Sequence, residues 1–356
     1  MELALGLMAG IVACVNLKHT GILILGGVLI AGGFVLFLLK RHRLALVVFA
    51  AMLGMLITRM ALPAYFTDGN ARIEGVVTDL SFEDERTVLT LSRATINGEP
   101  FNKSILLTIN GSTRARIGDA VYSNANIRSL RQRFNTYNEF TARLASGIGC
   151  IARATGVTVL SRHNAPLTEL VHGIRTGVTE TIKDAFEEDA PLFSALLIGV
   201  RDELNEERYE AYRASGTAHL LAISGFHVGM VVSAVGMLIP KRSRRLRIVI
   251  IGAVCVLYCT VAAYTPGIVR ASIMTGCYLL SGSLERRGDQ LTSLSLAAIL
   301  ILIFNPFQLY SIGFQLSFSA CFGIALFDSS FRRALTKLHI PTGIASAVSV
   351  CVSATL

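Results

Sequence analysis

The chain has 356 residues, is 52% hydrophobic and only 16% charged, and has a mean hydropathy of +0.57. Soluble domains carry about a quarter of charged residues, so these values exclude an ordinary soluble globular fold and point to apolar surface placed in lipid. A formal charge of +9 fits contact with nucleic acid or anionic lipid, and the position of the charges has to decide between them.

Apolar runs of near-spanning length lie at 3–17, 21–39 and 44–62, and again at 218–239, 248–264, 268–283, 291–304, 311–327 and 341–356. Several are shorter than the roughly 20 residues a spanning helix needs, which predicts tilted, extended or re-entrant segments among them. The start of the chain lacks a basic leader and a small-residue cleavage site, so it reads as a retained membrane helix. Lys40-Arg41-His42-Arg43, Lys241 to Arg247, Arg286-Arg287 and Arg332-Arg333 with Lys337 form the basic clusters. If each is cytoplasmic, as the bias of Lys and Arg toward inner loops requires, all the spans alternate without conflict. Residues 64–189 then lie outside, as do the turns at Thr265-Pro266-Gly267 and Asn305-Pro306, which carry no Lys or Arg.

The polar region has its own character. Arg72–Leu80, Thr87–Ile96, Lys103–Asn110 and Ala120–Arg128 read as strands, Tyr137–Ser146 as a helix ended by Gly147, and Ile148–Leu160 as a return to strand. Asn97-Gly98 is a two-residue hairpin signal. Five strands and one helix suit a small barrel of the oligonucleotide-binding kind, and other small β folds fit the same pattern. The predicted fold class is therefore an α-helical polytopic membrane protein with an inserted small β-barrel (OB-like) extracytoplasmic domain. Its expected parts are three N-terminal spans (1–63), the barrel (64–162), interfacial helices (163–217) and a helical membrane domain (218–356).

Between Arg114 and Arg162 eight arginines face only Asp119 and Glu139. Arg114, Arg116, Arg128, Arg131, Arg133 and Arg143, interleaved with Phe134, Tyr137 and Phe140, fit the mixture of backbone electrostatics and base stacking by which single strands are bound. The same composition also fits a solvated surface over a domain whose aromatics are core. Beyond the barrel, Leu167, Leu170, Val171, Ile174, Val178, Ile182 and Phe186 recur at three- and four-residue spacing. This is an amphipathic helix expected on the membrane surface or on the helix bundle. Pro191–Val200 is apolar but short, which suggests a re-entrant or interfacial piece. Six of the seven cysteines fall in apolar runs and only Cys150 in the polar part, which excludes a disulfide framework.

Gly216 to Gly229 is unusual for a membrane helix, holding His219, Ser224 and His227 together with three glycines. Polar side chains are costly in hydrocarbon and face a bundle interior or a water-filled path, or else bond neighbouring helices. The run Ala218-His219-Leu220-Leu221-Ala222-Ile223-Ser224-Gly225-Phe226-His227-Val228-Gly229 resembles the signature of the ComEC family, the membrane channel of bacterial natural transformation. Leu196 to Gly199 with Tyr212-Arg213-Ala214-Ser215-Gly216, Arg270-Ala271-Ser272-Ile273-Met274, and Asn305-Pro306 followed by Gly313 to Ala320 resemble further family motifs. So does Phe134 to Ile148, although it lacks a Pro-Gly before the aromatic.

The resemblance implies a bacterial plasma-membrane protein whose outer barrel receives single-stranded DNA and whose helices conduct it inward. A DNA receptor outside and a motor or single-strand-binding proteins inside are the implied partners. On this resemblance His219, Ser224, Gly225, His227, Arg270, Gln315, Ser317 and Ser319 fall on or beside the path. Gly225 and Gly229 would permit close helix approach. Arg270 would attract phosphate or, alternatively, cap carbonyls or form an ion pair. Some family members continue into a nuclease, but no His/Asp cluster of that kind occurs here. The chain stops within an apolar run, as a fragment of a longer protein would. No cofactor, metal site or catalytic constellation is expected. A small-molecule or lipid transporter is the alternative reading. An intramembrane serine hydrolase built on Ser224 is a more remote one, because no His is expected in another spanning helix.

Overall fold

The computed structural model describes residues 1–17, 19–63, 66–83, 86–111, 113–129, 139–161, 166–198, 205–215, 225–239, 244–262, 266–281, 290–337, 348–350 and 352–353. They form two compact units. One comprises Leu5–Gly173 with Leu302–Ser311, and the other Met1–Ala4, Ile174–Ile301 and Ile312–Leu356.

In the first unit, helices α1 (Glu2–Asn16), α2 (His19–Leu38) and α3 (His42–Ala61) precede the barrel. α1 and α3 touch through backbone, because Gly6, Gly10 and Gly54 carry no side chain at their crossing. A Cβ added to Gly10 would stand 1.9 Å from the Ala51 carbonyl oxygen, and one on Gly54 would stand 2.3 Å from that of Leu7. Small residues four apart allow helices this approach in an apolar setting. α2 leaves Ile24, Val28, Phe34 and Phe37 at 60–70% exposure, a large unpaired apolar face.

The barrel strands are β1 (Gly69–Glu83), β2 (Arg86–Ile96), β3 (Glu99–Pro100), β4 (Ser104–Asn110), β5 (Ala120–Ser129), β6 (Ile148–Ala154) and β7 (Thr158–Ser161). Their order is β1-β2-β4-β6-β5, and β5 pairs back onto β1 to close five strands. β4 and β6 run parallel, while the other pairs of the ring are antiparallel. Alternation makes the core: Ile73 and Val77, Leu89 and Leu91, Ile105 and Leu107, Val121 and Ile127, and Ala152 all point inward and are buried. At Arg93 the backbone turns to φ 49 and the register with β1 shifts by one residue. This bulge moves the inward positions from Leu91 to Ala94 and Ile96.

The first four predicted strands fall where the period-two pattern placed them, whereas the expected return strand Ile148–Leu160 is broken after Ala154 into β6 and β7. The Asn97-Gly98 turn has both residues at positive φ, 52 and 85, as a type I′ hairpin needs. It returns first into the two-residue β3 before β4 begins. The predicted helix is α4 (Glu139–Ala145), followed by Gly147 at φ 80. Such a residue closes a helix without the steric cost of a side chain.

Cys150 lies wholly inside this barrel, and burial pushes its thiol up to about 12. An unfolded thiol titrates near about 8.5. The folded barrel therefore holds a proton that the unfolded chain gives up, so barrel stability is constant below about pH 8.5 and falls as pH rises toward about 12. We expect the barrel's denaturation midpoint to fall between pH 8 and pH 10.5, and the Cys150→Ala variant to lose that slope. Slow iodoacetamide labelling of the Cys150 peptide under native conditions would report the same burial.

The turn after α11 (Gln290–Phe304) belongs to the same unit as the barrel. Asn305 caps a 3-10 turn, Pro306–Tyr310, by accepting a hydrogen bond from Phe307 N. The side-chain amides of Asn305 and Gln308 both donate to the Ala145 carbonyl at the end of α4, each at 2.8 Å. Phe307 is buried among Val15, Phe140, Leu144 and Ala145. Lys103 Nζ lies 5.7 Å from the Phe307 ring centre, and burial lowers the pKa of its amine. Phe140 is thus a core residue, as the second of the two readings of these aromatics expected.

In the second unit α5 (Pro166–Phe186) presents Ile174, Val178 and Ile182 to α6 (Ala190–Ile198) and to Val261. Through these residues the amphipathic helix packs on its neighbours. α7 (Glu206–Ala214) is polar and starts at Asn205, which accepts from Glu207 N. α8 (Gly225–Leu238), α9 (Arg244–Val261), α10 (Pro266–Ser281) and α12 (Ile312–Lys337) follow. Val228, Ile251, Cys255, Cys259, Ala262 and Ile268 form a core shared by α8, α9 and α10. Arg332 and Arg333 sit within α12, where Arg332 pairs with Asp328, and not in a loop beyond it. Among the described residues α3 and α12 are long and apolar enough to cross a membrane, and further apolar helices of 10–17 residues accompany them.

Candidate functional site

Among the described residues of the second unit, Arg270 is the buried cation, and it lies among apolar helices. α10 begins at Pro266, a residue suited to the first turn of a helix because its missing N–H has no helical partner there. Arg270 follows in the next turn and is 8% exposed. Its Cζ lies 5.6 Å from the centre of the Phe318 ring on α12. Phe318 is itself buried and stacks on Phe314, one turn earlier, at 4.1 Å.

Gly225, the first residue of α8, also stands against this guanidinium. A Cβ there would meet Arg270 Nη2 at 3.3 Å and the Ala271 Cβ at 3.2 Å. The absence of a side chain at Gly225 is what lets α8 approach the guanidinium. Three helices carrying separate sequence motifs therefore meet at one arginine.

Arg270 has no ion pair among the described residues, and its buried Nη1 has no hydrogen-bond partner. A buried charge with an open donor is costly. The face of an aromatic ring offsets about 2 kcal/mol of that when water is excluded. An anion placed against Nη1 would offset more, because charge-assisted hydrogen bonds are the strong ones. Among the described residues no carboxylate pairs with Arg270, and Nη1 is open to an acceptor.

The other expected path residues are placed differently. His227 is half-buried two residues into α8. Gln315 and Ser319 are exposed on α12, and Ser317 is half-buried. Ser319 Oγ donates to the Leu316 carbonyl at 3.1 Å. These three residues share α12 with Phe318, and Gln315, three residues before it, lies on a neighbouring row of the helix. A Cβ at Gly229 would meet nothing within 4 Å, so the close approach expected of Gly229 is made by Gly225. His219 and Ser224 lie outside the described residues. Phe318 was not singled out by sequence reasoning, although its spacing of four from Phe314 marks a shared helix face.

On the barrel, Arg114, Arg116 and Arg128 are exposed and Arg143 is half-buried on α4. Arg114 borders a cleft of about 520 Å³ with Asn110, Asp119, Thr155 and Val159. Asp119 is buried and accepts from Arg116 N, so this carboxylate holds the turn before β5. Arg131, Arg133, Phe134 and Tyr137 lie outside the described residues.

The helices around Arg270 lie in the part of the chain that a known family model matches. Residues 196–356 match the family model described as Competence protein. The chain is 33% identical over 149 residues to ComE operon protein 3 of Bacillus subtilis (strain 168), a match covering 41% of this chain and 19% of that protein. An uncharacterised protein of Aquifex aeolicus (strain VF5) is 32% identical over 125 residues, covering 35% of this chain and 29% of its own length. The matches thus span less than a third of either relative. No solved structure matches the chain.

Proposed function

We propose that this chain is part of a plasma-membrane channel that admits single-stranded DNA in natural transformation. In this reading the barrel is an extracytoplasmic, OB-like receiving domain, and the helices of residues 218–356 conduct the strand past Arg270 without a covalent step. The observation that carries the proposal is Arg270, a buried guanidinium with an open donor at the meeting of three competence-motif helices. A phosphate backbone is the polyanion such a donor would pass from one residue to the next. The exposed apolar faces of α2 and α12 support a lipid setting. Docking of the Asn305-Pro306 turn on the barrel helix supports a shared side for those two segments.

Two measurements test the reading together. Cysteines placed at Glu99 and Arg245 should be labelled by an impermeant maleimide from outside and only after lysis, respectively; the reverse pattern overturns the topology. In a transformable host lacking its own homologue, His227→Leu in the full-length parent protein should reduce entry of labelled DNA at least about tenfold. DNA bound at the cell surface should be unchanged. Normal entry would return His227 to helix packing.

A further inference from the structure

β5 is an odd sequence for a strand in the ring of a barrel. Its inward residues, Val121, Ser123, Ala125 and Ile127, are all buried. Its outward residues are Tyr122, Asn124, Asn126 and Arg128, two of them asparagines, which strands disfavour. A surface selected only for solubility and sheet propensity would carry Thr, Lys or Glu in such places.

The register assembles these residues with partners from distant parts of the chain. Asn126 pairs with Asn70, Asn124 with Arg72, and Tyr122 with Glu74 across β1. Asn126 also faces Arg153 across β6. Arg72 Cζ lies 4.7 Å above the centre of the Tyr122 ring, and Glu74 holds the same guanidinium at 2.7 Å. The Tyr122 hydroxyl donates to Asn124 Oδ1, and the Asn126 amide donates to Asn70 Oδ1 at 3.2 Å. Arg128 and Arg153 are exposed at the far end.

We propose that this outer face of β1, β5 and β6 is where a single polynucleotide strand lies on the barrel. The inference rests on the reading that the barrel meets DNA, and it selects the face. The Arg72–Tyr122 pair stacks a base, since bases stack both on aromatic rings and on guanidinium planes. The row of Asn70, Asn124 and Asn126 offers amide donors and acceptors that tolerate any base edge. Arg128 and Arg153 hold the phosphates. Outward residues along β5 stand about 7 Å apart, so the row from Tyr122 to Arg128 runs about 20 Å, room for a few extended nucleotides. The middle of the face formed by β2 and β4 presents Val88, Thr90, Leu106 and Thr108, and its exposed cations, Arg86 and Arg93, lie toward the two ends of β2, without an aromatic beside them among the described residues.

The test uses the full chain in nanodiscs of zwitterionic lipid, with a labelled 15-nucleotide oligothymidylate followed by fluorescence anisotropy. Tyr122→Ala should weaken binding at least about fivefold and leave the salt slope unchanged. It should also remove the parent's preference for that oligomer over an abasic one. Arg128→Gln with Arg153→Gln should lower the slope of log K against log salt by about 1.4, two phosphates' worth for a single strand. Native resistance of Cys150 to alkylation verifies that each variant keeps its barrel. Binding by a parent-like amount in both variants, while the parent binds with a steep salt dependence, overturns this face and leaves the barrel's DNA role standing. Parent chain that binds no oligonucleotide, or binds only anionic vesicles, overturns both.

Discussion

Arg270→Leu is expected to stop DNA entry while leaving the protein folded, and to make it as stable as the parent or more so. The two halves of this outcome follow from the same contact. In the resting protein the guanidinium is buried against Phe318 with Nη1 unpaired. Replacing a poorly compensated buried charge by an apolar side chain of similar bulk is often neutral or stabilising. A transported phosphate, however, loses a charge-assisted hydrogen bond of about 1.5–3 kcal/mol, or about 10- to 150-fold in its passage. Arg270→Lys keeps the charge and loses the forked geometry, so it should fall between the two. Labelled-DNA entry and thermal unfolding in detergent, measured on the same variants, separate the cases. Unchanged entry in Arg270→Leu would make the residue a packing element; a large drop in stability would make it a structural one.

Gly10→Ala is the second large effect, and here the loss is of the fold itself. The added Cβ would stand 1.9 Å from the Ala51 carbonyl oxygen and 2.7 Å from its carbon, so α1 and α3 would have to separate. Overpacking of this kind costs about 3 kcal/mol or more when backbone is the obstacle. At Gly26 and Gly27 of α2, by contrast, nothing stands within 4 Å of an added Cβ. Alanine there should be neutral, or better by about 0.5–1 kcal/mol through helix propensity. The measurement is the yield of monodisperse protein and its unfolding temperature for Gly10→Ala against Gly26→Ala. Equal behaviour of the two would mean that the α1–α3 crossing contributes nothing to stability.

Much of the architecture is written locally and was legible for that reason. Strand positions in the barrel follow from alternation, as in Leu89 and Leu91 against Val88 and Thr90. The hairpin follows from Asn97-Gly98, whose conformations few other residue pairs accept. Helix positions follow from runs of apolar residues, and the motif stretches mark which helices differ from plain packing helices. The bulge at Arg93 left no such mark, because one inserted residue changes the phase of a strand without changing its composition.

The amino-acid sequence by itself determined that this protein is apolar helices around one inserted barrel, and it named Arg270 and Gly225 among the residues that matter. Periodicity and hydropathy are properties of neighbouring residues, and those are what a sequence displays. Only the tertiary structure decided which of these residues meet. It brought Gly225 and Phe318 both against Arg270, placed Phe140 in a core with Phe307, used Gly6 and Gly10 at an internal helix crossing, and aligned Arg72 over Tyr122. Each pairing joins segments dozens to hundreds of residues apart, and chain closure over such distances is fixed by packing and strand register, to which no local pattern points.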